Sequence, residues 1–202
     1  MEKNLVDKLA ETVAGLLFVE LEASGRHVHV TKEQAQVLFG HPLTPQRPLS
    51  QPGQYLARER VTVVGPKGRF ENVAVLGPER KAAQAEVSLT DARQLGLEAP
   101  IRLSGDVKGT PGARLVGSCG SVELTAGVMA AQRHIHLTPE AAQRFGVKDR
   151  QIVKLQTFTE RPLIFENVAV RVSPDFAPFA HLDFDEANAC GFRKGDLGRI
   201  LP

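Results

Sequence analysis

The sequence predicts a mainly β fold, barrels or sandwiches with short capping helices, built by an internal duplication. Short apolar and β-branched runs alternate with Gly/Pro turns, as in closed or sandwiched β folds. The helix-period stretches are brief and open on Ser or Thr. The string Arg-His-β-branched-His-aliphatic-Thr occurs twice, at Arg26-His27-Val28-His29-Val30-Thr31 and Arg133-His134-Ile135-His136-Leu137-Thr138. These copies hold four of the six histidines.

Residues 3–17 carry Leu5, Leu9, Val13 and Leu16 on one helical stripe. Such a helix either packs on its own domain or serves as a partner-binding or targeting element. Residues 16–23 read as a strand leading into the first His-x-His. Thr31 N-caps a helix closed at Gly40, and Thr138 N-caps one closed near Gly146, with Pro139 at the favoured first position. Each His-x-His strand thus runs into a helix N-terminus, a place that favours anions. Residues 42–53, with four prolines and Gly53, read as a loop. Val61–Val64 and Arg69–Leu76 form a hairpin around Gly65-Pro66-Lys67-Gly68, and Ser88–Leu95 a helix closed by Gly96. Further strands fall at 101–103, 114–116, 121–124, 152–156, 164–172 and 199–201. There is no βαβ series and no phosphate-binding glycine loop.

A chain of 202 residues makes one large domain or two of about 100. Its 42% apolar content suffices for a core. A net charge of +2 with dispersed basic residues argues against a nucleic-acid partner. Two cysteines make no disulfide framework, and the acidic start lacks a secretion signal, so a cytoplasmic location is expected. No stretch reaches the roughly 20 apolar residues of a membrane span. Cys119 and Cys190 read as bystanders.

On a strand, residues i and i+2 share a face about 6.5–7 Å apart. Each His-x-His therefore aims two imidazoles at one point, as metal ligation requires. The repeat extends further. Phe70-Glu71-Asn72-Val73-Ala74-Val75 recurs as Phe165-Glu166-Asn167-Val168-Ala169-Val170, an offset of 165 − 70 = 95. The same offset places Glu86 opposite His181 (181 − 86 = 95). Two candidate sets emerge: His27, His29 and Glu86, then His134, His136 and His181. Three protein ligands with an open position suit a catalytic rather than a structural zinc. Arg80 shares a side with Glu86 if the segment is extended. It is either an oxyanion-binding guanidinium beside the metal or a surface arginine. Arg26 and Arg133 point to the opposite strand face and read as structural ion pairs. His41 has no duplicate and reads as a loop residue.

With these motifs in place, and with Leu49-Ser50-Gln51-Pro52-Gly53-Gln54, Val75-Leu76-Gly77-Pro78-x-Arg80 and His181-Leu182-Asp183, the chain resembles the microcompartment-type phosphotransacylases. These are the phosphate propanoyltransferase family of propanediol utilisation. The resemblance implies two β-barrel domains related by internal duplication. One would take residues 1–25 and 132–202, the other 26–131. It implies two divalent metal ions between the barrels, zinc in the usual case, on His27, His29, Glu86 and on His134, His136, His181. Cobalt or another borderline ion has overlapping preferences. Arg80 would hold phosphate, and Ser24, Arg47 and Asn188 would contact coenzyme A. The reaction would interconvert short-chain acyl-CoA (propanoyl- or acetyl-CoA) plus phosphate with acyl phosphate plus CoA. The resemblance also implies a homodimer, in the cytoplasm or in the lumen of a bacterial microcompartment, where the N-terminal helix would contact the shell. Two departures stand out. The strand Val19-Glu20-Leu21-Glu22-Ala23 is more acidic than the apolar-Gly-Val run of relatives, and position 74 is Ala where relatives often carry arginine.

Two other readings compete. In a cupin-like sugar-binding or regulatory metal protein, Glu33 or Glu140 would join the histidines as a ligand. A dimetal hydrolase of thioesters or phosphoesters would use the same two sets on water. Phosphate dependence of CoA release separates the hydrolase from the transferase.

Overall fold

The computed structural model describes Val13 and residues 17–201. The helix expected over 3–17 therefore lies almost wholly outside the described residues. In chain order the first part contains β1 (Val19–Ser24), β2 (His27–His29), α1 (Lys32–Phe39), β3 (Pro45–Pro48), β4 (Tyr55–Val64), β5 (Arg69–Gly77) and β6 (Gln84–Val87). Next come α2 (Leu89–Leu95), β7 (Ile101–Arg102), β8 (Ala113–Val116), β9 (Ser121–Leu124) and β10 (Val128–Ala131). The last part holds β11 (His134–Leu137), α3 (Pro139–Phe145), β12 (Ile152–Phe158), β13 (Ile164–Val172), β14 (Phe179–Asp183), α4 (Phe184–Cys190) and β15 (Leu197–Leu201).

The chain divides into two compact units. One takes the chain up to Ser24, Arg133–Leu182 and the part from Glu186 onward; the other takes Gly25–Gln132 and Asp183–Asp185. The first unit is a closed six-stranded barrel in the order β1-β14-β11-β13-β12-β15. Closure leaves no free sheet edge. Its interior is filled by alternate residues: Val19 and Leu21 of β1, Ile135 and Leu137 of β11, and Ala180 and Leu182 of β14. The second unit is a nine-stranded sheet curled into a half-barrel, with the path β7-β10-β6-β2-β5-β4-β8-β9 and β3 paired to β4. Val28, Val30, Val75, Ala85 and Val87 lie in its core.

The duplication is visible in the pairing. β2 runs parallel to β5 and antiparallel to β6, with His27 opposite Ala74 on one side and Glu86 on the other. β11 runs parallel to β13 and antiparallel to β14, with His134 opposite Ala169 and His181. Each repeat thus contains a parallel pair, which the turn-rich sequence did not suggest. The helix between the His strand and the following hairpin carries the crossover that parallel pairing needs. The repeated Phe-Glu-Asn-Val also has a backbone reason. Asn72 and Asn167 adopt φ values of 57° and 55°, a left-handed conformation that asparagine tolerates better than most side chains.

The expected caps form: Thr31 and Thr138 accept from the backbone N–H groups of Gln34 and Ala141, and Gly40 and Gly146 close the helices in the left-handed region. Two expectations are corrected, and two further features lie outside them. The loop expected over 42–53 contains β3, held against β4. The histidine pairs are 134 − 27 = 107 residues apart, against 95 for the later motifs, so the first copy is 12 residues longer here. β4 starts at Tyr55 rather than Val61. β10 was not expected at all, because Val128-Met129-Ala130-Ala131 is too short a run to distinguish strand from helix.

Candidate metal centres

Strand alternation builds the first set. Val28 enters the core, so His27 and His29 point to the other face, where both are buried. On β6, Ala85 and Val87 enter the core, so Gln84 and Glu86 share the histidine face. His27 Nδ1 lies 2.8 Å from the Gly25 carbonyl and His29 Nδ1 lies 3.0 Å from the Leu76 carbonyl. A carbonyl can only accept, so each Nδ1 carries the proton and each Nε2 keeps its lone pair for a ligand. His27 Nε2 lies 3.6 Å from Glu86 Oε2.

Behind Glu86 stands a small polar network. Gln84 Nε2 donates to Glu86 Oε1 at 2.6 Å and to Ser104 Oγ at 2.6 Å, while Gln84 Oε1 accepts from Gly105 N–H at 2.9 Å. Arg80 Nη1 donates to Ser104 Oγ at 3.0 Å, so Ser104 accepts from both Arg80 and Gln84. Ser104 is therefore a hub between the arginine and the Gln84 amide that holds the carboxylate. Arg80 itself is pinned through its backbone N–H, which donates to the Val30 carbonyl at 2.9 Å.

Electrostatics favour a neutral His29 and an ionised Glu86. Burial, then the neighbouring His27 and Arg80 charges, push His29 down to about 2, so its imidazole is neutral. Burial alone would raise Glu86, but the charge and close approach of His27 outweigh it and hold the carboxyl well below the usual carboxylate range. Burial works against protonated His27 too, yet the facing Glu86 raises its proton affinity on balance.

The second set stands on the outer face of the barrel. Ile135 and Leu137 fill the interior, so His134 and His136 point outward, and so does His181 between Ala180 and Leu182. All three are buried. The ring centroids of His134 and His181 are 5.0 Å apart, and His136 Nδ1 lies 3.1 Å from His181 Nε2. Phe176 covers His136, with ring centroids 4.1 Å apart.

Within each set the three candidate donor atoms lie within 4.8 Å of one another. Two ligands on a tetrahedral zinc are about 3.4 Å apart, given a bond length of about 2.05 Å. The 3.6 Å and 3.1 Å separations straddle that value. Two or three imidazoles with at most one carboxylate suit a borderline ion better than calcium or magnesium. Both sets therefore fit a zinc-like ion.

The expected ion pairs behind the histidine strands are present. Arg26 donates to both Asp91 oxygens at 3.0 and 2.7 Å and lies 4.1 Å over the Phe70 ring. Arg133 pairs with Glu186 at 2.5 Å and sits over Phe165. Asp91/Glu186 and Phe70/Phe165 are related by the offset of 95. Ser24 ends β1, exposed Asn188 lies on α4, and exposed Arg47 lies on β3. Glu33 and Glu140 lie exposed in the first turns of α1 and α3, outside both sets, which removes the ligand a cupin-like site needs. Among the described residues no helix is long and apolar enough to cross a membrane. Sequence reasoning missed Gln84 and Ser104. The former stood two residues before Glu86, on the same face of a strand; no sequence signal ties position 104 to position 80.

A family model described as phosphate propanoyltransferase matches residues 20–193. A phosphate propanoyltransferase of Listeria monocytogenes is 49% identical over 207 residues, covering 100% of this chain and 97% of the relative. The phosphate propanoyltransferase of Clostridioides difficile is 48% identical, covering 98% of each chain. That of Enterococcus faecalis is 53% identical over 90% of this chain and 87% of its own. On the extent of these matches, the chain belongs to the phosphate propanoyltransferase family.

Proposed function

We propose that the protein is an acyltransferase that interconverts propanoyl-CoA plus phosphate with propanoyl phosphate plus CoA, using two divalent metal ions, one on each three-residue set. The observation that carries this reading is the hydrogen-bonded chain Arg80–Ser104–Gln84–Glu86, which ties a guanidinium suited to phosphate to a carboxylate suited to a metal. Bound ions would supply Lewis-acid stabilisation of the departing thiolate and of the phosphate charge. The chain's own residues do the rest. Arg80 offers N–H groups to two phosphate oxygens and offsets their charge. Ser104 and Gln84 hold Arg80 and Glu86 in register, so little reorganisation accompanies substrate binding. A phosphate oxygen attacks the thioester carbonyl carbon. A C–O bond forms, the C–S bond breaks, and the electron pair leaves with the CoA sulfur, which takes up a proton from solvent. No residue need act as a covalent nucleophile. Cys119 donates to the Phe39 carbonyl and Cys190 is buried in the barrel core, outside both sets.

The finer parts of the reading belong to the same proposal. Acetyl-CoA fits the chemistry as well as propanoyl-CoA does. Ser24, Arg47 and Asn188 are assigned to CoA, the metals to zinc, and the oligomer to a homodimer. The enzyme is placed in the cytoplasm or a microcompartment lumen, with residues 3–17 as the shell contact. The family resemblance supports all of these.

The test is CoA release from propanoyl-CoA with and without inorganic phosphate, on metal-loaded and chelator-treated protein. Release should require phosphate and metal. Phosphate-independent release would instead identify a hydrolase, and full activity without metal would overturn the metal assignment.

A further inference from the structure

The acidic departure in the first strand has a place in the barrel. Val19 and Leu21 of β1 enter the core, so Glu22 stands on the outer face. β14 is the neighbour of β1, and His181 stands on that face too, between core residues Ala180 and Leu182. Glu22 Oε2 lies 3.2 Å from His181 Nδ1. The other ring nitrogen, Nε2, is the one that meets His136 at 3.1 Å. A carboxylate thus addresses one end of this imidazole and His136, another candidate ligand, stands at the opposite end.

In the other set, backbone carbonyls take the Nδ1 protons of His27 and His29. At His181 the corresponding partner is a side chain, and an anionic one. Neutral imidazole carries one proton, and an acceptor at Nδ1 keeps it there, leaving the Nε2 lone pair for a ligand. The contact also changes the charge comparison between the sets. Glu86 serves one directly, and Glu22 serves the other through His181, so each has one carboxylate within reach.

We propose that Glu22 is the positioning residue of the three-histidine set: its carboxylate accepts the Nδ1 proton of His181 and turns Nε2 toward the metal position. This rests on the metal reading above. Outer-sphere partners of metal-bound histidine are typically worth about 10–100-fold in metal affinity. Glu22→Ala should therefore weaken one of the two zinc equivalents by about that factor and leave the other unchanged. Glu22→Gln keeps an oxygen acceptor and should lose only a few-fold. The measurement is competition of the full chain, loaded with two equivalents of Zn(II), against a chromophoric chelator, with circular dichroism as the folding check. Parent protein that takes up no zinc would overturn the metal reading itself. Parent and Glu22→Ala releasing both equivalents identically would overturn the Glu22 assignment alone. So would Glu22→Gln losing as much as Glu22→Ala. Should Glu22→Ala fail to fold, the decision passes to Glu22→Gln in ¹⁵N-labelled protein. His181 should remain the Nδ1–H tautomer when zinc is bound, and an Nε2–H tautomer would end the assignment.

Discussion

Replacing Ser104 with Ala removes one oxygen that serves two neighbours. Arg80 Nη1 loses its 3.0 Å acceptor, and Gln84 Nε2 loses its 2.6 Å acceptor. The effects are unequal. Gln84 keeps one of its two donations, to Glu86 Oε1 at 2.6 Å, so its amide stays anchored to the carboxylate. Arg80 loses a charge-assisted bond, and such bonds contribute about 1.5–3 kcal/mol net. If that bond holds the guanidinium where phosphate binds, its loss appears in phosphate affinity. At about 1.4 kcal/mol per factor of ten, the KM for phosphate should rise roughly 10–100-fold. The KM for propanoyl-CoA should move little. The assay is initial-rate CoA release with phosphate varied at saturating propanoyl-CoA, on protein whose zinc content has been measured. Ser104→Thr keeps the hydroxyl and should recover most of the loss. Arg80→Ala should be at least as damaging, and Ser104→Ala added to it should cost nothing further in phosphate KM, because the two act through one bond. A folded, metal-replete Ser104→Ala protein with an unchanged phosphate KM would refute the hub role.

Glu86→Ala and His181→Ala should each lower bound metal by about one equivalent and abolish acyl transfer; full activity in either, by the same CoA-release assay, contradicts the ligand sets. In the metal-free chain, folded His29 titrates at about 2 against an ordinary 6.5, so the unfolded chain binds the extra proton between those values. Its stability contribution is complete above about pH 6.5 and is lost on acidification. Glu86 has the same sign, starting from 4.5, whereas the contribution of His27, whose value is raised, is present below 6.5 and is lost as pH rises through it. The melting temperature of chelator-treated protein should thus fall below pH 4.5, and less steeply in His29→Gln; equal slopes count against the buried neutral imidazole. Leu155, fully buried in the barrel, should cost about 2–5 kcal/mol on replacement by Ala, read as a lower urea midpoint at unchanged m-value.

How far the site could be read from sequence follows from the range of the interactions. His27 with His29, and His134 with His136, are visible because strand period is two. Glu86 and His181 are visible because a duplicated fold keeps equivalent positions, and the structure puts each opposite the first histidine of its pair. Arg26 and Arg133 could be assigned to ion pairs from facing alone, though their partners Asp91 and Glu186 lie 65 and 53 residues away. β3 was hidden because its four residues include two prolines and pair with only one strand.

By itself the sequence determined the class of fold and the two sets of three, since both rest on periodicity and repetition, which are properties of order along the chain. Only the tertiary structure decided which proton sits on which imidazole and what stands behind each ligand. Gly25 and Leu76 supply carbonyls, Ser104 and Gln84 together link Arg80 to Glu86, and Glu22 addresses His181. Apart from the Gly25 carbonyl, these contacts join residues far apart in the chain through sheet pairings and a turn. Hydrogen bonds are short-range and directional, so they depend on sub-ångström placement that no spacing rule carries.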